Sequence, residues 1–221
     1  MRKIVAITQL SLDGVMQAPG GPDEDTQSGF THGGWAMLFQ DNAVLASVDK
    51  LMSGKFDILL GRRTYDIFAG YWPHHGDNSI GKAFNKAVKY VATRKTDSLP
   101  WDKSLRVGGD VVKAIKKLKA SKGPSLHVWG SSAFLQSLIT AGLVDEYQFW
   151  TFPVVLGYGK RLFESGAPPQ RLKLVHSQTG SGGVVVSTYR PVGPLPSAGK
   201  KPATGKGKPQ PKTKAKAKRA R

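Results

Sequence analysis

Asp57-Ile58-Leu59-Leu60-Gly61-Arg62-Arg63-Thr64 is the stretch on which the fold turns. Its first four residues read as a buried strand, short and apolar, with a glycine to end it. The next four read as the start of a helix, and a strand passing directly into a helix is the building unit of an α/β sheet. The junction also carries chemistry. Free N–H groups and the dipole at a helix start favour an anion, the Thr64 hydroxyl adds a donor, and Arg62 and Arg63 can fork onto phosphate oxygens.

The alternation continues outward on both sides. Upstream, residues 3–10 read as a buried strand ended by Ser11 to Gly14, and residues 17–40 as a Gly-, Pro- and Asp-rich loop. A loop of that length in a compact domain is usually functional or mobile. Asp41 caps a helix running to about Ser53, with Val44, Leu45, Val48, Leu51 and Met52 on its apolar face. Downstream the pattern predicts a helix near 80–87, a strand at 88–93, a weak strand at 104–107, a helix at 110–120, a strand at 125–129, a helix at 132–141 and a strand at 144–156. Strands near 171–179 and 183–190 are joined by Gly180-Ser181-Gly182-Gly183, a hairpin-like turn. The expected fold is a three-layer α/β/α domain with a mixed, mostly parallel sheet and a C-terminal antiparallel pair.

In open α/β sheets ligands bind at the carboxyl ends of the strands. Two further junctions there repeat the first: Thr93-Arg94-Lys95, and Gly130-Ser131-Ser132 before the helix at 132–141. The candidate cofactor-binding residues are therefore Gly61, Arg62, Arg63, Thr64, Thr93, Arg94, Gly130, Ser131 and Ser132. Two paired basic sets suit a cofactor with an additional phosphate. His74-His75 lacks carboxylate or cysteine partners and reads as surface loop, so no metal is expected. Gly157-Tyr158-Gly159-Lys160-Arg161 lacks the spacing of a phosphate loop. The aromatic alternation at Phe149, Trp150 and Phe152 fits either core packing or a dimer seam.

Ser11-Leu12-Asp13-Gly14 and Leu59-Leu60-Gly61-Arg62-Arg63-Thr64-Tyr65 resemble the dihydrofolate-reductase-like superfamily. Asp145-Glu146-Tyr147, with the tract from Phe152 to Phe163, resembles the bacterial riboflavin-biosynthesis reductase domain, the RibD C-terminal domain, over residues 1–190. The resemblance implies NADPH as hydride donor and an activity like that of 5-amino-6-(5-phosphoribosylamino)uracil reductase on a small, heterocyclic molecule. It implies that Arg62 and Arg63 face the 2′-phosphate, that Thr64, Gly130, Ser131 and Ser132 hold the pyrophosphate, and that Thr93 and Arg94 flank the adenosine. Gln9 and the loop from Asp13 would border the nicotinamide and substrate, with Asp13 the candidate catalytic group and bound water its alternative. Asp13 could equally form an Asx-turn with Gly14. The carboxylate with which true dihydrofolate reductases bind the pterin has no clean match: Asp41 sits at a helix cap and Asp49 lies about two turns further on.

Composition bounds the rest. The chain has 221 residues and no cysteine. That excludes disulfides, cysteine nucleophiles and the zinc deaminase unit that accompanies some RibD-like reductase domains. The formal charge is +18, yet all ten basic residues beyond Arg190 lie in 200–221, a segment without acidic residues. Residues 191–221 are expected to form a disordered basic tail, because Lys, Pro, Gly and Ala cannot bury enough apolar surface to offset ordering entropy. Such a tail could bind nucleic acid without reading bases. The run Ile4 to Ile7 is too short for a signal-peptide core, and nothing approaches the roughly 18 apolar residues of a membrane helix. A cytoplasmic enzyme is the primary expectation. A nucleic-acid-associated protein contacting its partner through residues 200–221, and a cofactor-binding protein without turnover, are the alternatives; a homodimer is a candidate assembly, and the sequence does not decide the oligomeric state.

Overall fold

The computed structural model describes residues 1–39 and 41–196. The expected contact of residues 200–221 with nucleic acid, and most of the expected tail, lie outside the described residues.

Among the described residues eight strands form one sheet in the order β4-β3-β2-β5-β1-β6-β8-β7. They are β1 (Ile4–Ser11), β2 (Phe56–Gly61), β3 (Lys89–Ala92), β4 (Ser104–Val107), β5 (Ser125–Trp129), β6 (Glu146–Phe152), β7 (Gln170–Thr179) and β8 (Val185–Pro194). The first six run parallel, and β8 pairs antiparallel with both β6 and β7. The expected mixed sheet with its terminal antiparallel pair is what forms. Among the described residues five α-helices accompany it: α1 (Asn42–Ser53), α2 (Arg62–Tyr71), α3 (Ser79–Lys86), α4 (Val111–Ala120) and α5 (Ser132–Thr140).

Strand alternation explains the layers. In β2, Leu59 joins a core with Ile115 of α4 and Leu135 and Leu138 of α5. Its neighbours Ile58 and Leu60 face the other way, against Tyr65 of α2 and Phe84 of α3. In β1, Val5 and Ile7 point to a third cluster with Ala43 of α1, Trp150 and Phe152. Helices α4 and α5 therefore cover one face, and α1, α2 and α3 the other. Strands β2 and β5 lie side by side, yet the helices that follow them leave for opposite faces. Such a divergence opens a crevice at the carboxyl ends of the strands.

Two boundaries differ from the sequence reading. Strand β6 is shorter than 144–156, stopping where Pro153 removes a ladder donor. Strand β8 continues past residue 190 to Pro194, paired along its length with β7. The aromatic face of β6 packs inside the chain: Trp150 and Phe152 are buried, as is Phe149 on the other face. Core packing accounts for that alternation, so these residues form no seam on the surface. No helix among the described residues is long and apolar enough to cross a membrane.

Candidate functional site

A cleft of about 1090 Å³ opens at the ends of β1, β2 and β5. Pockets for small molecules and cofactors run to roughly 300–1,000 Å³, so this cleft stands at the large end of that range. Its walls include Gly61, Arg62, Arg63, Thr64, Gly130, Ser131, Ser132 and Gln9. Eight of the residues singled out from sequence are thus brought together.

The two junctions are stitched to each other. The Gly61 N–H donates to Ser131 Oγ at 3.0 Å, the Ser131 N–H donates to Thr64 Oγ1 at 3.0 Å, and Ser131 Oγ donates to the Trp129 carbonyl at 2.9 Å. Gly130 and Ser131 both adopt left-handed backbone, with φ of 51° and 57°. A Cβ at Gly130 would press to 3.4 Å from Thr64 as well as straining the backbone. Ser131 tolerates the conformation because three hydrogen bonds hold it there.

Helix starts divide into two groups. Asp41, Asn78 and Asp110 cap α1, α3 and α4 with side-chain oxygens. Among the described residues, α2 and α5 have no side-chain cap, and both begin on the cleft. Their first N–H groups and positive dipole ends are left for a ligand.

Arg62 Nε is forked onto both oxygens of Asp66, at 2.8 and 3.0 Å. Arg63 Nη2 reaches Asp25 Oδ1 at 2.6 Å, while Lys160 Nζ holds the other oxygen of the same carboxylate. Burial alone would raise the Asp25 pKa, but Lys160, the Gln27 N–H and Arg63 outweigh it and hold the carboxyl below its ordinary range. This clamp fastens the loop of residues 17–39 to α2. Buried Gln17 completes it, donating to the carbonyls of Asp25 and Gln27 and accepting from the Lys160 N–H, each at 3.0 Å. Gly33 permits the loop's tight closure, since a Cβ there would fall 2.2 Å from the Pro22 carbonyl oxygen. Beside the clamp, Glu24 lines the cleft. Burial pushes its carboxyl above the ordinary range, and the N–H groups of Gly20 and Gly21 only partly offset this. Glu24, Asp25 and Lys160 are the site residues that sequence reasoning missed. The acidic triplet Asp23-Glu24-Asp25, inside a loop already marked by its length, was the available signal.

Three expected residues lie elsewhere. Thr93 and Arg94 line a smaller hollow of about 400 Å³, which shares Ala92 and Phe134 with the main cleft. Asp13 is not among the residues lining the cleft. It accepts from Ser11 Oγ at 2.6 Å, from the Leu156 and Gly157 N–H groups at 3.1 and 2.9 Å, and pairs with Arg161. Burial raises its pKa, and these hydrogen bonds more than reverse that, bringing it to about 2. Asp13 is thereby committed to holding the 156–161 loop, and that loop's N–H groups at 156 and 157 are already used. His75 stacks on Tyr71 with ring centroids 3.8 Å apart.

The residues fit a dinucleotide. Among the described residues, Thr8 Oγ1, Arg62 Nη1 and Trp129 Nε1 are buried polar atoms without a partner, and all three residues line the cleft. Buried polar atoms ordinarily find partners, and a bound ligand can supply them. The uncapped helix starts suit a pyrophosphate, and Arg62 and Arg63 suit a further phosphate.

Known proteins agree with the architecture. A curated relative, the uncharacterized protein YyaP of Bacillus subtilis (strain 168), is 27% identical over 192 residues, covering 85% of this chain and 94% of its own. Among solved structures, a putative riboflavin biosynthesis protein from Shewanella sp. PV-4 superposes with a TM-score of 0.60 at 21% identity, covering 86% of this chain and 98% of that one. Dihydrofolate reductase from Enterococcus faecalis, complexed with NADP(H) and RAB-propyl, superposes with a TM-score of 0.54 at 14% identity, covering 86% and 96%. The RibD C-terminal domain model matches residues 2–186, and with the fold described above this chain belongs to the RibD C-terminal domain family.

Proposed function

We propose that this protein is an NADPH-dependent reductase acting on a small conjugated or heterocyclic molecule, the class that includes reduction of a riboflavin precursor. The carrying observation is that the two helices lacking side-chain caps, α2 and α5, both start on one cleft at stitched junctions. Anionic groups are favoured where uncapped N–H groups and dipole ends converge.

In this reading Thr64, Gly130 and Ser132 hold the pyrophosphate, and Ser131 fixes the turn through its bonds to Gly61, Thr64 and Trp129. Arg62 and Arg63 receive the 2′-phosphate, and the adenosine lies toward the hollow of Thr93 and Arg94. Bound NADPH supplies the hydride; the chain supplies orientation, electrostatics and exclusion of water. Gln9, next to Trp150 across the β1–β6 register, borders the place where nicotinamide and substrate meet. The loop of residues 17–39, clamped to α2 by Asp25, lines the cleft and limits access of water.

Displacement tests this assignment. Adenosine 2′,5′-bisphosphate should displace NADPH from the full chain, as followed by tryptophan fluorescence, whereas 5′-ADP should compete weakly. Equal competition by the two would remove Arg62 and Arg63 from the 2′-phosphate.

A further inference from the structure

The cleft also has an aromatic wall. Phe68, Tyr71, Trp72, Phe84, Trp129 and Trp150 all line it. They form a continuous aromatic run: Trp150 meets Trp129 at 6.0 Å between ring centroids, Trp129 meets Phe84 at 5.3 Å, and Phe84 meets Trp72 at 5.1 Å and Phe68 at 5.6 Å. Tyr71, at the mouth, is half exposed. Aromatic faces and edges of this kind favour flat, conjugated partners over flexible polar ones.

Charge narrows the class further. Among the described residues, the cations on the cleft wall are Arg62, Arg63 and Lys160. Arg62 pairs with Asp66, and Arg63 and Lys160 share Asp25. The two arginines stand at the start of α2, where the proposed cofactor phosphates lie, and Lys160 remains with Asp25. Besides Asp25, the carboxyls on the wall among the described residues are those of Asp23 and Glu24. A phosphorylated or sulfonated substrate would therefore meet acidic groups and no unpaired cation.

We infer that the substrate is a flat, conjugated molecule without a phosphate or other strong anionic group, lodged against the partly exposed rings of Trp129, Trp72 and Phe68, with buried Trp150 and Phe84 packed behind them. This rests on the reductase reading, since it assigns the arginines to the cofactor. It separates this chain from any relative whose substrate carries a phosphate.

The test uses the full chain loaded with NADP⁺, whose binding is first established by its own titration. Naphthoquinone and naphthoquinone sulfonate share a ring and differ by one anionic group; each is titrated by calorimetry. The neutral ring should saturate, and the sulfonate should bind at least about tenfold more weakly, from like-charge opposition. The double variant Asp23→Asn, Glu24→Gln should narrow that gap about threefold or more. Tyr71→Ala should weaken the neutral ring about threefold without changing NADP⁺ affinity, as a lost aromatic contact predicts. Equal or tighter binding of the sulfonate, a gap unchanged in the double variant, an unchanged affinity in Tyr71→Ala, or no binding of either ring to the loaded protein would overturn the inference while leaving the cofactor reading intact. Failure of NADP⁺ itself to bind would instead overturn the reductase reading, and this inference with it.

Discussion

Thr64 Oγ1, in the first turn of α2, accepts the backbone N–H of Ser131 at 3.0 Å across 67 residues of sequence. This bond fixes the strained turn before α5 against the turn before α2, so that two uncapped helix starts share one cleft. Thr64→Val keeps the shape and removes the acceptor. Chemical denaturation should show a loss of about 1–3 kcal/mol, the usual cost of an unsatisfied buried donor. NADPH affinity should fall with it, and Thr64→Ser should restore both.

Arg62→Ala should weaken NADPH far more than NADH. The guanidinium is held in place by its fork onto Asp66 while Nη1 has no partner, which leaves it poised for a phosphate oxygen. Loss of a charged hydrogen bond predicts about 1.5–3 kcal/mol for NADPH. Titration calorimetry with both cofactors checks this, and equal losses would assign Arg62 to the shared pyrophosphate or to structure. Arg62→Lys should restore only part, because an ammonium lacks the planar fork.

Dihydrofolate should be a poor substrate. Asp41, the nearest candidate for a ring-binding carboxylate, is buried and occupied by the N–H groups of Ala43 and Gly182, each at 2.8 Å. It ties α1 to the β7–β8 hairpin, and Asp49 is exposed on the same helix. Steady-state assays should show negligible turnover; efficient turnover abolished by Asp41→Asn would contradict this assignment.

His127 gives the fold a pH dependence. Its ring stacks on Phe56 at 4.5 Å, and burial lowers its pKa from 6.5 to about 4. The unfolded chain therefore binds the extra proton between pH 6.5 and 4 while the folded chain does not. Stability from this group is fully present above pH 6.5 and declines as pH falls to about 4, by at most about 3 kcal/mol. Melting curves across that window should flatten in His127→Phe, which keeps the stacking surface.

Much of this was legible in the sequence because it is local. The passage from Leu60 through Gly61 into Arg62 marks a strand, a turn and a helix within a few residues, and the small residues at 130–132 mark another. Alternation in β2 is visible in the same way. The Asp25 clamp was not legible: Asp25 and Lys160 are 135 residues apart, and a long-range side-chain pairing leaves no periodic trace. Asp13 was misleading for a related reason. A carboxylate just after a strand looks the same in sequence whether it faces a ligand or, as here, the N–H groups of Leu156 and Gly157. The meeting of Trp129 and Trp150 depends on register, Ile7 beside Trp129 and Gln9 beside Trp150, and register appears only once the strand order is known.

On the proposed function, the cleft between α2 and α5 is an NADPH site. Titration calorimetry of the full chain with NADPH and NADH under identical conditions tests it most directly. NADPH should bind at micromolar Kd or tighter, with NADH at least about tenfold weaker for want of the charge-assisted bonds to the 2′-phosphate. Equal affinities, or no saturable binding of NADPH, would contradict the account.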